Sequence, residues 1–202
     1  MREQGTMTPE TQDSDEITAL VGLAMAGGRA AFERLVVMHQ GGIFGMVYAR
    51  MQSRADAEDV VQDVFLSAFR NLSTLRDPAL FKAWLCRIAL NKVRDALRRR
   101  RIASFFGFGR DEVPDDHPDP GPDGFDHAAA RQFWSKVNGF LDTLPALQRE
   151  VFRLRFLDHL GIQEIAVVMG KNESTVKTHL YRALDKFKTL GSQYGVSVGE
   201  DA

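Results

Sequence analysis

Four consecutive arginines, Arg98–Arg101, close a segment in which Arg87, Asn91, Arg94 and Arg98 recur at steps of four, three and four residues. Side chains spaced this way share one face of an α-helix. A basic last turn is favoured by the helix dipole, so such a run is often only a solvated helix end. Four adjacent guanidinium groups also repel one another, which argues for a polyanion as their partner. Upstream lies a loop, Asn71–Leu80, of the kind that can reach an unstacked base. Trp84 is either a stacking platform for such a base or a core residue, and spacing alone favours the core.

A second constellation lies between Gly161 and Phe187, in GIQEIAVVMGKNESTVKTHLYRALDKF. Ile162, Ile165, Ala166 and Met169 make a short amphipathic helix, and Gly170 supplies the left-handed residue that ends it. Asn172 caps a new helix whose inner side is Val176, Leu180, Ala183 and Phe187. Its outer side presents Ser174, Lys177, Thr178, Tyr181, Arg182 and Asp185. This is helix-turn-helix geometry, whose second helix fits the major groove of B-DNA. Lys177 and Arg182 suit phosphates or guanine edges, while Thr178 and Tyr181 suit bases or backbone. The bland alternative is a helical hairpin with a solvated face.

The third constellation is a polar stripe, Asp59, Gln62, Asp63 and Ser67, on the segment SRADAEDVVQDVFLSAFRNL. Asp56, Glu58 and Asp59 are explained by helix capping and the dipole. Gln62, Asp63 and an exposed Leu66 or Phe65 exceed that need and suit an arginine-bearing protein partner.

The elements that position these residues are all helical, with apolar periodicity near 3.6 and no strand-type alternation. One helix runs from Ala30 to Gln52, with Phe32, Leu35, Val36, Ile43 and Val47 inward. The next starts near Ser53 or Asp56 and carries Val60, Val61, Val64, Ala68 and Leu72 inward. Pro78 opens a third, ending near Arg101. Further helices are expected near 128–142, 146–157, 162–169 and 173–190.

The net charge of −1 over 202 residues hides a segregation. Residues 30–101 carry 13 Lys and Arg against 7 Asp and Glu, and residues 131–190 carry 10 against 6. Residues 102–130 carry 1 against 7. Two cationic modules are therefore separated by a segment that phosphates repel. That segment, FFGFGRDEVPDDHPDPGPDGFD, gathers prolines and glycines among carboxylates and should hold no regular element. Phe105, Phe106 and Phe108 suggest that its start docks onto something. The expected organisation is an N-terminal extension over 1–27 with a disordered start, a helical domain over 28–101, a flexible acidic linker over 102–127, a second helical domain over 128–190, and a tail over 191–202. The fold class is all-α, with two small helical domains.

Composition excludes several classes of function. No apolar run reaches the roughly 20 residues that span a bilayer. The polar, acidic N-terminus is unlike a signal or transit peptide. A single cysteine, Cys86, leaves no internal disulfide and suits a reducing compartment, so a cytoplasmic location is expected. No phosphate-binding glycine loop, nucleophile elbow or metal-ligand spacing among His39, His117, His127, His159 and His179 is present. Neither catalytic residues nor a metal or other cofactor are expected.

Taken in order, three segments resemble the sigma factors of bacterial RNA polymerase, specifically the minimal extracytoplasmic-function (ECF) class. DAEDVVQDVFLSAFR resembles the family's polymerase-binding helix. FKAWLCRIALNKVRDALRRRR resembles its promoter-melting and minus-ten-reading helix, including the pattern aromatic-Leu-x-x-Ile-Ala-x-Asn. LDTLPALQREVFRLRFLDHLGIQEIAVVMGKNESTVKTHLYRAL resembles its minus-thirty-five-reading domain, including the opening Leu-Pro-x-x-x-Arg. The resemblance covers about residues 28–190.

It implies that Asp59, Gln62, Asp63 and Leu66 dock on the β′ clamp of core RNA polymerase. Ser73, Arg76 and Asn91 would lie near the flipped minus-ten base. Trp84, Arg87, Arg94, Arg98 and Arg99 would lie at the melting duplex edge. Ser174, Thr175, Lys177, Thr178, His179, Tyr181 and Arg182 would face the minus-thirty-five element. The second domain would also meet the β flap, the linker would thread the polymerase, and an anti-sigma protein would regulate the chain. His179 and Lys177 depart from the Ser or Arg of many relatives, so no promoter sequence is transferred. Two rivals compete: a helix-turn-helix regulator acting without polymerase, and a sigma-like decoy for an anti-sigma factor. The first leaves the Asp63 and arginine helices unexplained. The second resembles sigma fused to a receiver domain, for which this chain has no room.

Overall fold

In the computed structural model the described residues are 9–105 and 127–190, with side chains described over 15–105 and 135–190. Every regular element among them is helical. They form two compact units, within residues 1–114 and 115–202.

The first unit contains α1 (Pro9–Met25), α2 (Arg29–Met51), α3 (Arg54–Asn71) and α4 (Phe81–Phe105). The α1–α2 turn depends on glycine. Gly27 has φ of +95°, and a Cβ on Gly28 would lie 2.8 Å from the Leu23 carbonyl oxygen. The Ser53 hydroxyl caps α3 by accepting the Asp56 N–H at 3.3 Å. Two 3-10 turns, Leu72–Thr74 and Pro78–Leu80, lead into α4, and the Asp77 carboxylate accepts the Ala79 N–H at 3.0 Å. Leu35, Val47, Val64, Phe81, Leu85 and Ala89 form a core shared by α2, α3 and α4. Fully burying each large side chain stabilises the unit by about 1.5–3 kcal/mol.

The second unit contains α5 (His127–Asp142), α6 (Ala146–Phe156), α7 (Ile162–Met169) and α8 (Glu173–Leu190). Its core joins Val137, Phe140, Leu141 and Leu144 to Phe152, Ala183 and Phe187. Phe140 meets Phe187 edge-on with ring centroids 5.0 Å apart, and Phe152 at 5.4 Å.

Two features differ from the expectation. Residues 9–25 form α1, which packs on α2 through fully buried Val21, and Arg34 pairs with Glu16 at 2.6 Å. Helix α4 continues one turn past Arg101 to Phe105, because Ile102 and Ala103 extend it and no breaker precedes Gly107. The start of the N-terminal extension, the acidic segment with Phe106 and Phe108, and the tail lie outside the described residues.

Candidate nucleic-acid interface

On α4 the residues Arg87, Asn91, Arg94 and Arg98 are all exposed, while Leu85, Ala89 and Val93 turn to the core. The stripe is lightly tied within itself: Arg94 donates to Asn91 Oδ1 at 3.4 Å and Arg98 to Asp95 at 3.4 Å. Bonds this long between exposed groups are readily exchanged for phosphate or base contacts. Ser73 and Arg76, in the connection before α4, are also exposed. Trp84 is half-buried, its ring centroid 6.0 Å from that of buried Phe81. It packs at the edge of the core and retains an accessible portion.

The arginine run divides. Arg98 continues the stripe, but Arg99, Arg100 and Arg101 line a groove of about 780 Å³ together with Arg50, Gln52, Asp56, Asp59 and Ser104. Arg100 lies 3.8 Å from Asp56 of α3. One residue along a helix is a rotation of about 100°, which separates Arg99 from the Arg98 stripe. Arg50, Gln52 and Ser104 carry no distinguishing sequence pattern.

On α2, His39 sits half-buried with its ring centroid 5.3 Å from that of Phe81. Burial, aided by the nearby charge of Lys82, holds its pKa below the ordinary histidine value.

On α3 the residues Asp59, Gln62, Asp63 and Leu66 are exposed, and Leu66 is 54% accessible. Phe69, 55% accessible, extends the stripe and meets Phe32 edge-on at 5.1 Å. Phe65 is half-buried. An exposed apolar pair beside carboxylates has the composition of a protein contact.

In the second unit, Gly170 ends α7 at φ +60°, and its N–H reaches the Ala166 and Val167 carbonyls. Asn172 Oδ1 accepts the Thr175 N–H at 2.8 Å, capping α8. Ser174, Lys177, Thr178, Tyr181 and Arg182 are exposed, with Tyr181 66% accessible. Thr178 back-bonds to the Ser174 carbonyl at 2.9 Å, and Lys177 lies 3.7 Å from Glu173. Thr175 and His179 are half-buried, and His179 Nδ1 is enclosed without a hydrogen-bond partner. They flank the exposed face rather than stand at its centre. Among the described residues no group of three His, Cys, Asp or Glu is placed to hold a metal ion. No described helix is long and apolar enough to cross a membrane.

Residues 35–102 match the family model described as Sigma-70 region 2, and residues 137–187 match Sigma-70, region 4. RNA polymerase sigma factor CnrH of Cupriavidus metallidurans is 33% identical over 191 residues, spanning 91% of this chain and 96% of its own. ECF RNA polymerase sigma factor BldN of Streptomyces coelicolor is 34% identical over 180 residues, spanning 85% of this chain and 64% of its own. Among solved structures, CnrH in complex with the cytosolic domain of CnrY superposes with a TM-score of 0.66 at 29% identity, over 89% of this chain and 99% of that one. The matches fall on the same segments as the three constellations, and the chain belongs to the ECF RNA polymerase sigma factors.

Proposed function

We propose that this chain initiates transcription by docking α3 on core RNA polymerase and presenting α4 and α8 to two promoter elements. Asp59, Gln62, Asp63 and Leu66 make the clamp contact, carboxylates to guanidinium groups and Leu66 to an apolar rim. Ser73, Arg76, Trp84, Arg87, Asn91, Arg94, Arg98 and Arg99 meet the minus-ten region as it opens. Ser174, Thr175, Lys177, Thr178, His179, Tyr181 and Arg182 meet the minus-thirty-five element, and the same unit contacts the β flap.

One observation carries this reading: Arg87, Asn91, Arg94 and Arg98 remain on the solvent side of α4 while the other side of that helix builds the core. Four polar side chains aligned at helical spacing and left in water are an interface without its partner.

The functional domains are residues 28–101 and 128–190, with residues 102–127 as the linker that threads the polymerase. The setting is the bacterial cytoplasm, and the response is to an extracytoplasmic or stress signal. Regulation is by an anti-sigma protein, by analogy with CnrH, whose solved complex contains the cytosolic domain of CnrY.

Run-off transcription with core polymerase and genomic promoter fragments tests the proposal. Discrete transcripts that require both core and this chain are expected. Folded protein that yields none would leave the decoy reading in its place. A regulator acting alone would instead shift duplex promoter DNA without polymerase. Negligible specific shift is expected, because the net charge of −1 offsets phosphate attraction.

A further inference from the structure

The Leu-Pro-x-x-x-Arg segment that leads from α5 into α6, Leu144 to Arg149, has no role in the contacts proposed so far. Its geometry supplies one. Helix α5 ends at Asp142 and α6 begins at Ala146, so the intervening carbonyls need donors from elsewhere. Each carbonyl from Phe140 to Pro145 has one. Phe140 accepts from the Thr143 N–H and hydroxyl, Leu141 from the Leu144 N–H, and Pro145 from the Arg149 N–H. The other three rely on two cationic side chains. Arg149 Nη2 donates to the Asp142 carbonyl at 3.3 Å and the Leu144 carbonyl at 3.2 Å, while its Nη1 holds the Asp142 carboxylate at 2.9 Å. Lys186 of α8 donates to the Thr143 carbonyl at 2.5 Å, across 43 residues of sequence.

These bonds join three helices at one turn. Phe140, Phe152 and Phe187 pack beside it, but apolar burial is itself non-directional. Hydrogen bonds to fixed carbonyls depend on angle as well as distance. Lys186 lies one helical turn beyond Arg182, so its bond to Thr143 sets both the height and the rotation of the exposed face of α8. Arg149 holds the acceptor turn in place. We propose that Arg149 and Lys186 form a clasp that fixes the angle at which α8 meets the minus-thirty-five element. Neither touches DNA, and both act by positioning. The inference rests on the reading of α8 as a promoter-reading helix.

Two measurements test it on the full chain. In the first, holoenzyme transcribes a genomic promoter and the same fragment with its minus-thirty-five element scrambled. Arg149→Gln and Lys186→Met should each reduce the yield ratio of the two templates by roughly tenfold, the scale of a lost hydrogen bond from a charged donor. Lys186→Arg, which keeps a donor, and Asp142→Asn, which keeps both backbone bonds of Arg149, should stay within roughly twofold. Phe140→Leu controls for lost stability, because it weakens the core and leaves the clasp intact. An unchanged ratio in Arg149→Gln, or an equal loss in Phe140→Leu, overturns the proposal.

The second measurement needs no polymerase, so it tests the clasp even if the reading of α8 as a promoter-reading helix fails. Spin labels at Leu147→Cys on α6 and Lys188→Cys on α8, in a Cys86→Ala background, report the helix separation. The distance distribution should broaden in Arg149→Gln and Lys186→Met and stay narrow in Asp142→Asn. A distribution as narrow as that of the parent protein in both variants contradicts the clasp.

Discussion

Lys92 Nζ of α4 lies 3.9 Å from Asp63 Oδ2 of α3, joining the edge of the arginine-bearing helix to the carboxylate stripe beside it. The Arg100–Asp56 pair at 3.8 Å is a second rung between the same two helices. Both pairs are substantially exposed to solvent. Their Coulomb energy is screened and offset by side-chain entropy, so each is worth at most about 1 kcal/mol. Lys92→Gln should therefore lower urea-unfolding stability by less than about 1 kcal/mol. A loss of several kcal/mol would show that the rungs, rather than the core, hold α3 to α4.

The aromatic cluster of the second unit should dominate its stability. Phe140→Ala removes a ring that contacts both Phe152 and Phe187, and should cost about 3–5 kcal/mol. Thermal unfolding of the full chain should show the transition of the second unit shifted downward and that of the first unchanged. A shift of both transitions, or of neither, would contradict two separate cores.

At Gly170 the cost of substitution should be conformational. A Cβ there meets no atom within 4 Å, but the backbone is left-handed at φ +60°. Gly170→Ala should cost about 1–2 kcal/mol, and Gly170→Asn less, because Asn tolerates that conformation. Chemical denaturation of the two variants checks the order. Equal losses would point to a steric clash instead.

His39 should make the first unit acid-sensitive. Burial first, then Lys82, lowers its folded pKa, so between that value and about 6.5 the unfolded chain binds more protons. Its effect on stability is thus constant above about pH 6.5 and becomes increasingly destabilising as pH falls toward the folded pKa. His39→Gln should flatten this part of the stability-pH profile, measured by unfolding midpoints at pH 5 to 8. An unaltered slope would place the sensitivity on carboxylates.

Helix α8 is the most legible element because every local signal agrees. Asn172 caps it, Gly170 precedes it, and Val176, Leu180, Ala183 and Phe187 are all buried. Helix α1 carries Ile17, Leu20, Val21 and Ala24 at helical spacing, a signal obscured by the acidic residues that precede it. Composition groups Arg99 with its neighbours, although a one-residue step turns it toward the groove. The expected faces of α3, α4 and α8 are exposed except for Phe65, Ser67, Trp84, Thr175 and His179, which are half-buried. The Lys186–Thr143 bond is invisible in the sequence, since it links residues 43 apart that share no pattern. Periodicity reports which face a helix buries, and long-range polar bonds leave no such trace.

On the proposed function, clamp docking and upstream promoter reading reside in different units, and two substitutions separate them. Core-polymerase affinity and promoter-complex formation should be measured side by side for Asp63→Ala and Arg182→Ala. Asp63→Ala should weaken core binding by roughly tenfold or more, the scale of a lost charge-assisted contact. Once saturating core restores the holoenzyme, its promoter affinity should match that of the parent. Arg182→Ala should leave core binding unchanged and weaken promoter complexes by a similar factor. Equal loss of both properties in both variants would contradict the division of labour.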